Sequence, residues 1–396
     1  MENQPIYMDH IAGTPVSPQV LAAMLPYLQD EFGNPASIHH HGEKPQDALF
    51  RSREQVARLI GAETEEIIFT SCGTESNNLA IKGIALDRLQ HGRHLLISAI
   101  EHYSVFYAAK ALEKLGFEFS VVPVDGSGVV DPGDVLRALR PNTVLVSIMY
   151  ANNEVGSLQP LAEIANITRE RGIAFHTDAV AAVGRLPVNV EELGVDLLSL
   201  AANQFYGPKG AAALYCRKGT QLWALFHGGG QEDGRRTGTE NVAGIVGMGE
   251  AAELTLMALP ERMAHGRQLE TLLRQQIERR IDQIRFNGHP DQHLPGLVNV
   301  SLRFVEGEAL LLHMDLRGVS VAGASACMSI TAKASHVLEA MGALQDGAIG
   351  TLLFTLGDGN TEAEVYRAVD TLEQVVAMLR AMSPLSRQAL RQGRTA

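Results

Sequence analysis

Three stretches of the sequence hold groups that could do chemistry. The first is Gly318-Val-Ser-Val-Ala-Gly-Ala-Ser-Ala-Cys-Met-Ser329, where one thiol, Cys327, sits among small residues. Small flanks suit a mobile loop that exposes a thiol, and an exposed thiolate is a nucleophile and a sulfur acceptor. A cysteine read without context is a core residue. The second is Glu66-Ile-Ile-Phe-Thr-Ser-Cys-Gly-Thr-Glu-Ser-Asn-Asn78, an apolar run followed by a Gly-containing turn and a helix start. Free N–H groups at such a helix N-terminus bind phosphate. Cys72, inside this turn, reads as a small buried apolar residue. The third is the run of His39, His40 and His41. Imidazoles are metal ligands, but no acidic residue or cysteine stands at ligand spacing, so the run reads as solvated loop.

These groups need a scaffold. Thr143-Val-Leu-Val-Ser-Ile-Met149 is a continuous apolar run, as in a parallel strand covered on both faces. Ile173-Ala-Phe-His-Thr-Asp178 and the run around Leu197, Leu198 and Leu200 read as further strands. Residues 46–60, with Ala48, Leu49, Val56 and Leu59 on one face, predict an amphipathic helix, and residues 362–380 a closing one. Strands alternating with helices predict an α/β fold with a mostly parallel sheet. After Pro260 the composition shifts. Leu269, Leu273, Ile277, Ile281 and Ile284 recur at nearly four residues and predict a polar helix over 261–284. Val298-Asn-Val-Ser-Leu302 alternates as a half-buried strand. The expected organisation is an N-terminal arm (1–15), a large domain (16–259), a smaller C-terminal α/β domain (260–383) and a flexible polar tail (384–396).

The bulk properties exclude several classes. A chain of 396 residues with a formal charge of −12 does not offer the basic face that a nucleic acid would need. Three cysteines (Cys72, Cys216, Cys327) with no CxxC pair suggest neither a disulfide framework nor a zinc site. The start, Met-Glu-Asn-Gln-Pro, lacks a basic-then-apolar signal, and no run approaches 18 apolar residues, so a cytoplasmic chain with no membrane partner is expected.

Taken together, these stretches resemble the cysteine desulfurases, pyridoxal-phosphate (PLP) enzymes of the class V aminotransferase group. The family's Thr-Ser-Gly-Gly-Thr-Glu-Ser-Asn-Asn is matched by residues 70–78, with Cys72 replacing one Gly; its Glu-His-x-Ser-Val by 101–105; its Asn-Asn-Glu-Val-Gly by 152–156; its Arg-Thr-Gly-Thr-Glu by 236–240; and its Ser-Ala-Cys-x-Ser nucleophile loop by 325–329. The resemblance runs from about Tyr7 to Thr361. It implies a fold-type I PLP-transferase, with a seven-stranded sheet in the large domain. It further implies that Gly73 and Thr74 hold the cofactor phosphate and that His102 stacks on its ring. Asn153 would bond its phenolic oxygen, Asp178 would pair with the pyridine nitrogen, and Thr239 would reach the phosphate of a partner subunit in a homodimer with shared sites. Cys327 would be the loop thiol that carries sulfur as a persulfide.

The same resemblance exposes departures. The family's cofactor-lysine segment, Ser-x-His-Lys-x-Tyr-Gly-Pro-Lys-Gly, is here Ala201-Ala-Asn-Gln-Phe-Tyr-Gly-Pro-Lys-Gly210. The serine is Ala201, the histidine Asn203 and the lysine Gln204, whose carboxamide is no amine nucleophile. A cofactor-contacting glutamine is Ala181, and the arginine that clamps the substrate carboxylate is Leu353. The small-residue run of the N-terminal arm contains His10 and Ile11. PLP is therefore expected either unattached to Gln204 or absent. Three functions stay open: a desulfurase-like sulfur carrier or scaffold acting through Cys327 with a sulfur-acceptor or iron–sulfur partner; an enzyme of changed chemistry holding PLP or its amine form noncovalently; and a desulfurase rescued by another lysine such as Lys209.

Overall fold

The computed structural model describes residues 5–323, 335–343 and 349–384. In chain order the first half contains β1 (Ile6–Tyr7), α1 (Pro18–Gln29), α2 (His40–Ile60), β2 (Ile67–Thr70), α3 (Gly73–Asp87), β3 (His94–Ser98), α4 (Tyr103–Leu112), β4 (Glu118–Val122), α5 (Pro132–Ala138), β5 (Thr143–Ser147), α6 (Leu161–Arg169), β6 (Ala174–Asp178), α7 (Val190–Leu193), β7 (Leu197–Ala201) and β8 (Ala212–Cys216). The second half contains α8 (Val242–Arg280), β9 (Ile284–Asn287), β10 (Leu297–Arg303), α9 (Gly307–Asp315), β11 (Val319–Ser320), β12 (Ala322–Gly323), α10 (His336–Ala340), β13 (Ile349–Thr355) and α11 (Glu362–Met382).

A seven-stranded sheet in the order β2-β8-β7-β6-β5-β3-β4 forms the centre. Only β8 runs against its neighbours; β3–β4, β3–β5, β5–β6 and β6–β7 are parallel. Helices on both faces bury these strands, which explains their unbroken apolar runs. The edge strand β4 is the exception and stays partly exposed. Polar residues inside the sheet are paired across strands. His176 bridges Ser147 at 2.8 Å and Ser199 at 3.0 Å, on the strands either side of its own. Burial pushes its imidazole down to about 3, so the ring stays neutral at ordinary pH.

A second sheet, β12-β13-β10-β9, is antiparallel and carries its own core with α8, α9 and α11. Two sequence expectations are corrected here. The helix expected over 261–284 is the second half of α8, which starts at Val242 and passes through Pro260 without stopping; Ile284 belongs to β9. The compositional shift at Pro260 marks a change of partner instead. Ile245, Met248 and Ala252 pack in the first core, and Leu269, Leu273 and Ile277 in the second. The strand expected to be half-buried is buried on both faces. Its polar side, Asn299 and Ser301, is covered and hydrogen-bonded to Asn287. An 18-residue window of α8 reaches a mean hydropathy of 1.5, and 56% of it is buried within the protein. The arm also joins the second core: β1 pairs in parallel with β11, and Ile6 and Met8 are fully buried there.

The Gly-rich segment before α8 is pinned by one side chain. Glu232, in a left-handed conformation (φ 49°), accepts two bonds of 2.6 Å from the Arg53 guanidinium and one of 2.9 Å from the Phe69 N–H. Arg53 also lies over the Phe69 ring, 4.6 Å from its centroid. Removing one partner of a buried ion pair leaves the other uncompensated. Glu232→Ala is expected to lower unfolding stability by about 3–5 kcal/mol, and Glu232→Gln by less, as measured by denaturant titration.

Candidate functional site

In parallel α/β sheets, ligands bind beyond the carboxyl ends of the strands. Here the ends of β6 and β7, the N-terminus of α3 and the arm enclose a cavity of about 340 Å³. Gly73, Thr74, His102, Asn153, Asp178, Asn203 and Gln204 all line it, joined by Cys72, Asn77, Ser104, Ala181, Ala201, Ile11 and Ala12. Residues from six separate sequence stretches thus converge as the motif reading expected. Thr239 does not; it lies in a separate crevice with Glu232 and Arg236. Cys327 lies outside the described residues. Leu353, at the position of the family's arginine, is buried in β13 opposite Asn299 and does not line the cavity.

The cavity wall is held by a chain of hydrogen bonds that the sequence did not announce. The Asn77 amide, on α3, donates to Asp178 Oδ2 at 2.6 Å and to Ser104 Oγ at 2.8 Å. Asp178 Oδ1 accepts from the Val180 N–H, and Asp178 is only 5% exposed. Ser104 Oγ lies 2.7 Å from His102 Nδ1, which also accepts the Ser104 backbone N–H at 3.1 Å. An Nδ1 that accepts a backbone N–H carries no proton, so the neutral ring bears its proton on Nε2. Asn77 and Ser104 sit inside the two motifs already quoted, and their residue types allowed no role to be assigned without the fold. The Asn77 Oδ1 and Gln204 Oε1 atoms are buried without a hydrogen-bond partner.

Cys72 is corrected: it is exposed and lines the cavity, because it is the N-cap of α3 with an extended backbone that turns its side chain outward. Its side chain does not cap the helix, and the N–H groups of Gly73, Thr74 and Glu75 have no intrahelical acceptor. A methyl group added to Gly73 would meet Val180 at 2.7 Å, so the turn is closed against larger residues. The loop expected at the three histidines is corrected: all three are exposed, but His39 is the N-cap of α2 and His40 and His41 form its first turn.

Gln204 is buried (7% exposed) and spent on the arm. Its Nε2 donates to the Ile11 carbonyl at 2.8 Å, while Thr14 gives both its N–H and its hydroxyl to the Asn203 carbonyl. Behind Gln204 is a chamber of about 20 Å³, lined by Arg185, Tyr206, Arg262 and Asp358. Arg185 is buried and donates to the His10 carbonyl at 3.0 Å. Burial, with the Arg185 charge beside it, pushes the His10 imidazole down to about 4. Lys209 is exposed, in a groove with Tyr7 and Glu364, and does not line the cavity.

Beneath His102, the Glu101 carboxyl accepts from Ser98 Oγ (2.6 Å) and the Met149 N–H (2.8 Å). Burial raises it to about 8, against the smaller opposing effect of these bonds, with Asp178 adding repulsion. The folded chain therefore holds a proton that the unfolded chain loses above about 4.5. Stability from this group is complete below that pH and is lost as pH rises towards 8. In denaturant midpoints between pH 5 and pH 8, Glu101→Gln is expected to gain on the native chain with rising pH, by up to about 1.4 kcal/mol per unit. Parallel curves for the two proteins would refute the assignment.

Comparisons with known proteins give the family and the fold. The family model described as aminotransferase class-V matches residues 6–367. Cysteine desulfurase IscS of Dictyoglomus turgidum is 48% identical over 383 residues, 97% of either chain. That of Methanosarcina thermophila is 45% identical over 395 residues, 97% of this chain and 95% of the relative. Among solved structures, a NifS-like protein superposes with a TM-score of 0.89 at 34% identity, covering 95% of this chain and all of that one. A structure described as SspA in complex with cysteine gives 0.79 at 36%, covering 90% and 100%.

Proposed function

The chain belongs to the aminotransferase class-V family, and within it we propose a cysteine desulfurase-like protein of sulfur metabolism that does not itself run the amine-dependent desulfuration of L-cysteine. One observation carries this reading: the position of the family's lysine is a buried carboxamide, hydrogen-bonded to the arm. An amide nitrogen has no free electron pair for carbonyl attack, and Lys209 does not line the cavity.

The rest of the cavity fits PLP. Gly73 and Thr74 would hold its phosphate with backbone N–H groups, Asp178 its pyridine nitrogen and Asn153 its phenolic oxygen, with His102 against the ring. When bound, PLP supplies an electron sink. The chain's own residues orient and shield: Asn77 fixes Asp178, Ser104 fixes the His102 tautomer, and Ile11 and Ala12 close the cavity from above. Held without a covalent bond, the group leaves sulfur handling to a thiol. In this reading Cys327 attacks the terminal sulfur of a donor persulfide, the donor's S–S bond breaks, and the donor leaves as a thiolate. A partner subunit completing the site through Thr239 and an iron–sulfur scaffold as acceptor belong to the same proposal.

A second reading has one observation in its favour. His102, with its proton on Nε2, is held for acid–base work in a cavity that also keeps Asn153 and Asp178, as an enzyme of changed chemistry would need. Leu353 in place of the arginine suits a ligand without a carboxylate.

Absorbance spectra with and without PLP, followed by borohydride and mass measurement, test the proposal. The native chain is expected to bind the chromophore reversibly and give no covalent pyridoxyl adduct. Gln204→Lys is expected to give the adduct at residue 204. An adduct on the native chain, or sulfide release from free cysteine, would sink the reading.

A further inference from the structure

Arg185 is a buried charge that the main cavity does not use. It is 8% exposed and lines the chamber of about 20 Å³ behind Gln204, with Tyr206, Arg262 and Asp358. Burial holds its pKa below the ordinary range, yet a guanidinium stays charged. Among the described residues it forms no ion pair, because Asp358 is taken by Arg262 at 2.9 Å. Its Nη2 donates to the His10 carbonyl, and its Nε is sealed off without a partner. Its Nη1 is unbonded and keeps accessible surface. An uncompensated buried charge is unfavourable by several kcal/mol.

Two more unsatisfied donors line the same chamber. Tyr206 Oη accepts the Asp358 N–H at 2.7 Å, and its own proton has no acceptor. Arg262 gives Nε to Asp358 and Nη1 to the Gly184 carbonyl, and its Nη2 is unbonded. Tyr206 stands at φ 66°, a strained backbone for a bulky residue, and such strain clusters at ligand sites. The other titratable group of the wall, His265, donates its Nε2–H to the Asn360 carbonyl. The chamber is thus rich in spare donors and carries one positive charge in excess. Its volume admits one water-sized species and excludes a tetrahedral oxyanion.

We propose that this chamber is a binding site for one halide-sized monovalent anion, held by Arg185, Arg262 and the Tyr206 hydroxyl. The arm positions Arg185 through the His10 carbonyl, so anion binding and arm docking favour each other. Gln204 alone is common to this chamber and the main cavity, and the inference does not rest on the sulfur-handling reading.

The test is the chloride NMR line width of the full-length chain, with chloride exchanged for gluconate at constant ionic strength. Expected is a saturable excess width that bromide displaces and sulfate does not. Tyr206→Phe is expected to weaken binding about tenfold, and Arg185→Gln to abolish the excess. Asp358→Asn leaves Arg262 unpaired and is expected to tighten binding about threefold, a gain that a damaged fold would not give. If Arg185→Gln does not fold, the Asp358→Asn result decides. No saturable excess on the native chain, an excess that survives in Arg185→Gln, displacement by sulfate, or no gain in Asp358→Asn overturns the inference.

Discussion

One amide holds the cavity together. Asn77 projects from the first turns of α3 and reaches both Asp178, at the end of β6, and Ser104, in the first turn of α4. These three elements come from distant parts of the chain, and each delivers a functional group only because the amide sets their spacing. Asp178 is nearly enclosed, and a buried carboxyl without hydrogen bonds is unfavourable by several kcal/mol. The Asn77 and Val180 donors make the position tenable. Ser104 passes the constraint on to His102, whose ring is thereby fixed in orientation and tautomer. Asn77, Asp178, Ser104 and His102 therefore form one connected set, and such sets rigidify a site when all members are satisfied. In this set Asn77 Oδ1 is buried without a hydrogen-bond partner.

Gln204 stands in a different relation to the cavity. A flexible cation at this position would face Arg185 and Arg262 across the small rear chamber. The carboxamide instead bridges outward to the arm, whose residues His10, Ile11 and Thr14 are each bonded to the main body. The ion pair of Arg262 with Asp358 and the stacking of Arg262 on Tyr206 brace the same corner. Gln204 thereby ties the arm to the wall of the cavity.

Much of this was legible beforehand, and the limits are physical. Strands such as β5 and β6 declare themselves because burial on both faces leaves no polar alternation to confuse the reading. The convergence of Gly73, His102, Asp178 and Gln204 followed from motifs, each a local signal. The misses involve packing, pairing and backbone geometry that residue types alone do not carry. The α8 helix was cut at Pro260 because a proline and a change in surface polarity look like a boundary when the packing on either side is unseen. Asn299 and Ser301 looked solvated because their partner Asn287 lies on another strand. The residue type of Cys72 points to the core, whereas the N-cap position leaves it exposed. The burial of Leu353 opposite Asn299 is equally a property of strand register.

The pairing of β1 with β11 has a consequence for how the chain is made. Ile6 and Met8 belong to a core whose other members lie beyond residue 268, and their strand partner begins at Val319. During synthesis at about 5–20 residues per second, the arm leaves the ribosome roughly 15–60 s before that partner exists. Over this interval a short apolar strand has neither sheet nor core to join. Most members of the first core lie between Val20 and Ala252, and Leu294, Leu297, Ala322 and Leu353 join them from the late segments. The arm then docks last, and with it the cover over Gln204. The cavity is thus sealed only on a nascent chain that has been translated almost to its end.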